Sequence, residues 1–256
     1  MSAAGDRITF VGHATVLIEL AGTRLLTDPL LGSRLLHIRR WSAEPAAEVC
    51  ERLDAVLISH LHHDHLDFGS LRRLDKTLPV VVPAGGARAL RRRGFTNPIE
   101  LASGASTRIG AVEVTATPAV HDGRRYPLGP EVEAVGFVLR AERRRVYFAG
   151  DTDLFDGMEE IAGGLDVALL PIGGWGPRLG AGHLDPRSAA KAAAILRPRL
   201  AIPIHWGTLL RIGLGRRRAE LLHAPARHFA DAVAELAPGV AATPLEPGES
   251  LELGPG

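Results

Sequence analysis

A single cysteine, Cys50, stands in 256 residues. No disulfide can form within the chain, and a reducing compartment is the simplest inference. Aromatic residues are only 5% of the composition, against 46% hydrophobic residues overall, so the core must be largely aliphatic. No apolar run reaches the roughly 18 residues needed to cross a membrane. The opening residues, Met-Ser-Ala-Ala-Gly-Asp, lack the basic-then-apolar order of an export signal. A cytoplasmic protein without a transmembrane segment is expected. An excess of charge is missing too: 30 Lys+Arg face 29 Asp+Glu, leaving no overall field to recruit nucleic acid or an anionic membrane. The basic residues are nearly all arginine and fall in runs at 91–93, 143–145 and 216–218. The first two runs sit beside helix and hairpin signals and are expected on solvated faces. The length suits one large α/β domain over residues 1–256, with no low-complexity linker to divide it.

What the chain does hold is a dense polar stretch, Ser59-His60-Leu61-His62-His63-Asp64-His65-Leu66-Asp67. It puts four histidines and two carboxylates directly after the apolar run 54–58, which reads as a buried strand. Two-residue alternation places His60 and His62 on one side, and Asp64 and His65 beyond the turn can face a neighbouring position. Neutral imidazoles and carboxylates are ligands for zinc and similar divalent metals, and a catalytic site keeps one position open for water. The pattern fits two adjacent metal ions. His63 points away by alternation.

Around this stretch, short strands are expected at 7–11, 14–20 and 23–28, then a surface loop or short helix at 30–50. Helical and strand signals alternate after it: a helix near 68–74, a strand at 79–83, a helix at 84–93, short strands up to 117 and a hairpin at 134–148. Strands at 166–171 and 200–204 bracket a helix at 186–196 that starts after Asp185. A helix at 226–236 and two edge strands finish the chain. This alternation means a layered α/β domain.

Three later strand ends carry a ligand-capable residue: His121 in Thr117-Pro-Ala-Val-His121, Asp151 after Ala149-Gly150, and His205 in Pro203-Ile-His205-Trp-Gly-Thr208. The order H-x-H-x-D-H, then His, then Gly-Asp, then His resembles the metallo-β-lactamase superfamily. The flanking words Val11-Gly-His-Ala-Thr15, Leu26-Thr-Asp-Pro29 and Phe148-Ala-Gly-Asp-Thr152 are similar to those of one branch. That branch contains N-acyl-phosphatidylethanolamine phospholipase D and L-ascorbate-6-phosphate lactonase-like hydrolases, and the likeness covers residues 7 to 210. It implies a metallo-β-lactamase-like αβ/βα sandwich of two mixed sheets with helices on the outer faces. It also implies two divalent metal ions, zinc first, with manganese or iron compatible. His60, His62 and His121 would hold one; Asp64, His65 and His205 the other; Asp151 would bridge both. The expected reaction is hydrolysis of a phosphodiester or a lactone-type ester by a metal-bridging hydroxide, since a bound metal lowers the pKa of water from 15.7 to about 7.

Asp64 and Asp151 are expected as ligands first and proton acceptors second. His183, in Gly182-His183-Leu-Asp-Pro186, is expected to orient the scissile group or protonate the leaving oxygen, its alternative being a loop histidine before a capped helix. His13 is expected to hold the first hairpin by a hydrogen bond, Asp28 and Asp67 to act as supporting carboxylates, and Asp67 to anchor an imidazole N–H. Arginine mixed with apolar residues at Leu30–Trp41 and Leu209–Arg218 suggests a small or lipid-like anionic substrate. The competing reading is a non-catalytic metal-binding or sensing module. Self-association into a homo-oligomer is left open.

Overall fold

The computed structural model describes residues 5–126, 129, 131–175, 179–213 and 220–254. The first half of the chain runs β1 (Arg7–Gly12), β2 (Thr15–Leu20), β3 (Thr23–Thr27), β4 (Arg34–Leu35), β5 (Ile38–Arg40), β6 (Ala55–Leu57), α1 (Phe68–Leu71), β7 (Val80–Pro83), α2 (Ala87–Arg91) and β8 (Pro98–Leu101). The second half runs β9 (Ser106–Ile109), β10 (Val112–Asp122), β11 (Glu133–Ala141), β12 (Arg144–Phe148), β13 (Val167–Pro171), α3 (Pro186–Leu196), β14 (Leu200–Ile204), β15 (Leu209–Arg211), α4 (Glu220–Leu236), β16 (Ala241–Ala242) and β17 (Ser250–Glu252).

Two mixed seven-stranded sheets result, ordered β17-β1-β2-β3-β6-β7-β8 and β16-β14-β13-β12-β11-β10-β9. In the first, an antiparallel meander β1-β2-β3 passes into parallel β6, β7 and β8. The second repeats the plan, with antiparallel β9 to β12 followed by parallel β13, β14 and β16. Strand β17 returns from the chain's end to pair with β1, the place that β9 takes beside β10.

Alternation along the parallel strands builds the layers. Ala55 and Leu57 join the large cluster between the sheets, whereas Val56 and Ile58 join the cluster beneath α1 and α2. Ala189, Ala190, Ala193 and Leu196 of α3 and Phe229 and Val233 of α4 close the outside of the second sheet. Strands buried on both faces must be apolar on both, which explains the unbroken runs at 167–170 and 200–204. Helix α3 starts where Asp185 and Ser188 form a reciprocal capping pair ahead of Pro186, and it stops at Arg197, whose φ is 48°. Helix α4 begins at Glu220, earlier than the expected 226, and carries Pro225 inside it.

Three expectations are corrected. Residues 34–40 form a hairpin in place of the expected loop or short helix, with Ile38 and Arg40 turned inward and Arg39 facing out. Together with β15 it makes a third, three-stranded sheet, with Arg40 opposite Leu209 and Ile38 opposite Arg211. Arg144, expected on a solvated face, is buried against Asp6 at 3.1 Å and Asp166 at 3.3 Å and donates to the carbonyl of Leu253 at 3.2 Å, tying residues near both ends of the chain to the second sheet. Asp67 anchors no imidazole; it caps α1, accepting from the backbone N–H of Ser70 at 2.8 Å.

Candidate metal centre

The chain segments that follow β6, β12, β13 and β14, together with the far end of β10, meet at one edge of the sandwich. In open α/β sheets the carboxyl ends of parallel strands are where ligand-binding groups collect. Residues 58–67 leave β6 and fold back on themselves, with the N–H of Leu66 donating to the carbonyl of His62 at 2.8 Å. Gly150, at φ 62°, turns the chain ahead of Asp151; a Cβ there would lie 2.7 Å from the Cβ of Ser59. His205 itself takes φ 64° just past β14.

The structure brings His60, His62, Asp64, His65, His121, Asp151, His183 and His205 together. Three imidazole nitrogens converge in one pocket: His62 Nδ1 lies 3.0 Å from His60 Nε2 and 3.1 Å from His121 Nε2. Tetrahedral ligands about 2.0–2.1 Å from a zinc ion are roughly 3.3 Å apart, so the triangle is the right size for one ion. Beside it, Asp151 Oδ2 lies 3.1 Å from His65 Nε2 and 3.4 Å from His205 Nε2, and Asp64 Oδ2 is 3.8 and 3.9 Å from the same two atoms. Asp151 also falls within ligand-sharing distance of His60 and His65 on one side and of His121 and His183 on the other.

Outer hydrogen bonds fix the direction of each ring. His205 Nδ1 donates to the carbonyl of Gly173 at 2.7 Å, His121 Nδ1 to that of Gly182 at 2.9 Å, and His65 Nδ1 to Asp28 Oδ2 at 2.8 Å. The Ser59 hydroxyl donates to Asp28 at 2.5 Å and so accepts from His60 Nδ1 at 3.0 Å. Each of these four rings therefore aims Nε2 inward, the support that metal-ligating histidines normally have. His65 Nε2, His205 Nε2 and Asp151 Oδ1 are fully buried and, among the described residues, have no hydrogen-bond partner. Orphaned buried polar atoms are costly unless something unites them, and a divalent cation fits this donor set.

The electrostatics agree. Burial, outweighing the nearby carboxylates, lowers the pKa of His121 to about 4 and that of His205 to about 3, and it holds His60 well below the ordinary value. These rings are neutral and keep their lone pairs. Burial opposes charge on Asp64 and Asp151, yet the surrounding histidines hold both carboxyls well below the usual range. Burial also opposes charge on His65, but Asp151, Asp64 and Asp28 together hold it protonated well above its ordinary value. The pocket stabilises positive charge where the Nε2 atoms point.

His183 sits on the open side, Nε2 3.4 Å from Asp151 Oδ2 and its ring 4.7 Å from that of His121. Burial lowers its pKa, but the hydrogen bond to Asp151 and that carboxylate's charge raise it more. Next to His121 a surface depression of about 560 Å³ is lined by Asp122, Arg124, Glu131 and Glu133 among others. A depression of similar size, about 580 Å³, lies on the outside of the second sheet and is lined by none of these side chains.

His63 turns away, its Nδ1 3.1 Å from Arg125. His37 packs edge-on against Trp175, His223 lies 3.6 Å from Glu246, and Trp206 is buried against Phe10. Several supports had no sequence signal of their own: Ser59, the carbonyls of Gly173 and Gly182, and Arg125, whose guanidinium donates to the carbonyls of Leu61 and Leu66 and so clamps the histidine loop. Gly182 is at φ 77°, and a Cβ on it would lie 2.9 Å from His121 Nδ1.

Residues 23–206 match the β-lactamase superfamily domain model. A metal-dependent hydrolase from Opitutus terrae is 36% identical over 91% of this chain and 97% of its own length. An N-acyl-phosphatidylethanolamine-hydrolyzing phospholipase D from Caenorhabditis elegans is 32% identical over 81% of this chain, the match covering 65% of that longer protein. Among solved structures, Igni18, a metallo hydrolase from Ignicoccus hospitalis, superposes with a TM-score of 0.72 at 25% identity, covering 98% of this chain and 99% of that one. The fold and the histidine–aspartate centre define a protein of the metallo-β-lactamase class. The chain belongs to the β-lactamase superfamily, within the branch whose members are named metal-dependent hydrolases.

Proposed function

We propose that the chain, as a single domain over residues 1–256, is a dinuclear metal-dependent hydrolase of phosphodiester or lactone-type ester bonds in a small or lipid-like anionic substrate. His60, His62 and His121 would hold one ion; Asp64, His65 and His205 the other; Asp151 would reach both. Zinc suits neutral imidazole with carboxylate, and manganese and iron are compatible. The observation that carries this reading is the pair of adjacent histidine–aspartate groups at which His65 Nε2, His205 Nε2 and Asp151 Oδ1 are buried and, among the described residues, without a hydrogen-bond partner.

When bound, such ions supply an activated water and a Lewis-acid contact to the scissile carbonyl or phosphoryl oxygen. The protein's own groups do the rest. Asp64 and Asp151 stay ionised and compensate cationic charge. The hydrogen-bonded rings hold the donors in place, so little reorganisation is needed during reaction. His183, 22% exposed at its side chain and with its pKa raised by Asp151, is positioned to give a proton to the leaving oxygen.

The third sheet supports the proposed substrate class. It joins the two segments that mix arginine with apolar residues: exposed Arg39 and Arg211 accompany exposed Leu36 and Ile212. Residues 214–218 of the second segment lie outside the described residues. The worm relative is named for a phospholipid substrate, which makes a lipid-like phosphodiester the first class to test. The metal-loaded protein should cleave a bis-aryl phosphodiester or a lactone, and Asp64→Ala should abolish this. Metal binding with no turnover across phosphodiesters, lactones and thioesters would leave a sensing module instead.

A further inference from the structure

We infer that His13 is the positioning residue of the Asp64–His65–His205 pocket, holding one donor through its side chain and a second through its backbone. This rests on the two-ion reading above. His13 stands in the turn between β1 and β2, far from the metal stretch in sequence, and is 1% exposed. Its Nε2 lies 3.0 Å from Asp64 Oδ2. An ionised carboxylate can only accept, so the ring donates to it. The His13 carbonyl accepts from the backbone N–H of His205 at 2.7 Å, and the two rings lie with centroids 3.9 Å apart. One residue thus grips the Asp64 carboxylate from the first half of the chain and the His205 backbone from the second.

The grip is built into the backbone. His13 takes φ 57° and His205 φ 64°, two non-glycine residues in the left-handed region, bonded to each other. Such conformations cost of order 1–3 kcal/mol each and persist only when the surroundings fix them. The His13 N–H is held by the Thr208 hydroxyl at 2.7 Å, and that hydroxyl donates to the carbonyl of Trp206 at 2.9 Å. The turn after β14 is therefore stitched to the turn after β1 at the point where the sheets converge.

His13 acts through Asp64 and not as a further ligand. Among the described residues His65 Nε2 and His205 Nε2 have no partner, whereas His13 Nε2 already has Asp64. With Asp64, His65, His205 and Asp151 around it, the second pocket has four donors without His13, the number a zinc site uses. The His60–His62–His121 pocket has no contact of this kind, so the effect should be confined to one ion.

The test is zinc titration of the metal-free protein, with ion stoichiometry and melting temperature measured for the wild type, His13→Asn, His13→Gln and His13→Ala. Asparagine tolerates the left-handed backbone but falls short of Asp64, and the longer glutamine amide can donate to it. His13→Asn and His13→Ala should weaken the second ion about 10–100-fold, the usual cost of losing such a support. The first ion should be unchanged and His13→Gln should recover part of the loss. Unchanged second-ion affinity in both His13→Asn and His13→Ala overturns the proposal. Equal weakening of both ions together with a lowered melting temperature of the metal-free protein also overturns it, since that marks a purely structural residue. A wild type that never takes a second ion overturns the two-ion reading and this inference with it.

Discussion

The two pockets share a supply loop and differ in almost everything else. His60, His62 and His121 are neutral rings, two of them half-buried and open toward the depression beside Asp122. In the second, His65 and His205 are fully buried, Asp64 is 14% exposed at its side chain, and the group is backed by Asp28, itself fully buried and bonded to His65 and Ser59. An ion in the first would depend on the geometry of three lone pairs. An ion in the second would depend on charge compensation and on the hydrogen bonds that hold its donors. The lesson is that remote support should matter more for the second ion, and access to solvent more for the first.

The strongest challenge to that contrast is Asp151, which reaches both sides. Asp151→Ala should remove ions from both pockets and lower hydrolysis at least about 10³-fold, the upper range for losing one preorganised electrostatic group. Metal content measured beside turnover decides the matter. If only one ion is lost, the pockets are more independent than the shared carboxylate implies. Full activity in this variant would sink the centre as a whole. Next in size is His183→Ala, which should reduce turnover about 10²–10⁴-fold with both ions retained. Unchanged turnover would remove His183 from proton transfer.

The loop from His60 to His65 was legible because its residues are adjacent in sequence and of types no structural role demands together. His121, Asp151 and His205 were legible from the words around them, since each follows a strand run and two of those words contain the glycine that lets the backbone turn. The supports were less so. Asp28 could be named a supporting carboxylate, but not as the partner of His65, because the pair are 37 residues apart and β3 meets β6 only through sheet pairing. Asp67 was misassigned because capping a four-residue helix and anchoring a ring ask for the same residue type. Carbonyl supports from Gly173 and Gly182 leave no side-chain trace at all. The β4–β5 hairpin was hidden because its arginines break the apolar alternation, Arg40 being drawn inward by the carbonyls of Leu30 and Gly32.

Asp28→Asn sharpens the comparison on the more buried side. Asparagine suits the φ of 33° at this position but cannot accept at both oxygens from His65, the Ser59 hydroxyl and the Ser59 N–H. Second-ion affinity should fall about 10–100-fold, with a smaller loss at the first pocket through Ser59 and His60. Calorimetric zinc titration distinguishes the two. Equal losses would mean that Asp28 supports the loop as a whole and not one pocket.

The last test is the pH dependence of the metal-free protein, and it probes the neutral rings. Burial depresses His121 to about 4 and His205 to about 3, against an ordinary value of about 6.5. Between those limits the unfolded chain binds protons that the folded chain refuses, so stability should fall as pH drops from about 6.5 toward 4. Each such proton adds a slope of about 1.4 kcal/mol per pH unit. His65 has the opposite sign: its raised pKa contributes stability that is present below about 6.5 and lost as pH rises through the folded value, so it limits the alkaline side and not this window. Asp64 and Asp151, held well below the usual range, lose their contribution only under about pH 4. Melting temperature measured in chelator from pH 7 to 4 should therefore decline less steeply in His121→Asn than in the wild type, by close to one proton. Identical slopes would show that His121 protonates as freely in the folded protein as in the unfolded chain, and the neutral character assigned to its pocket would be lost.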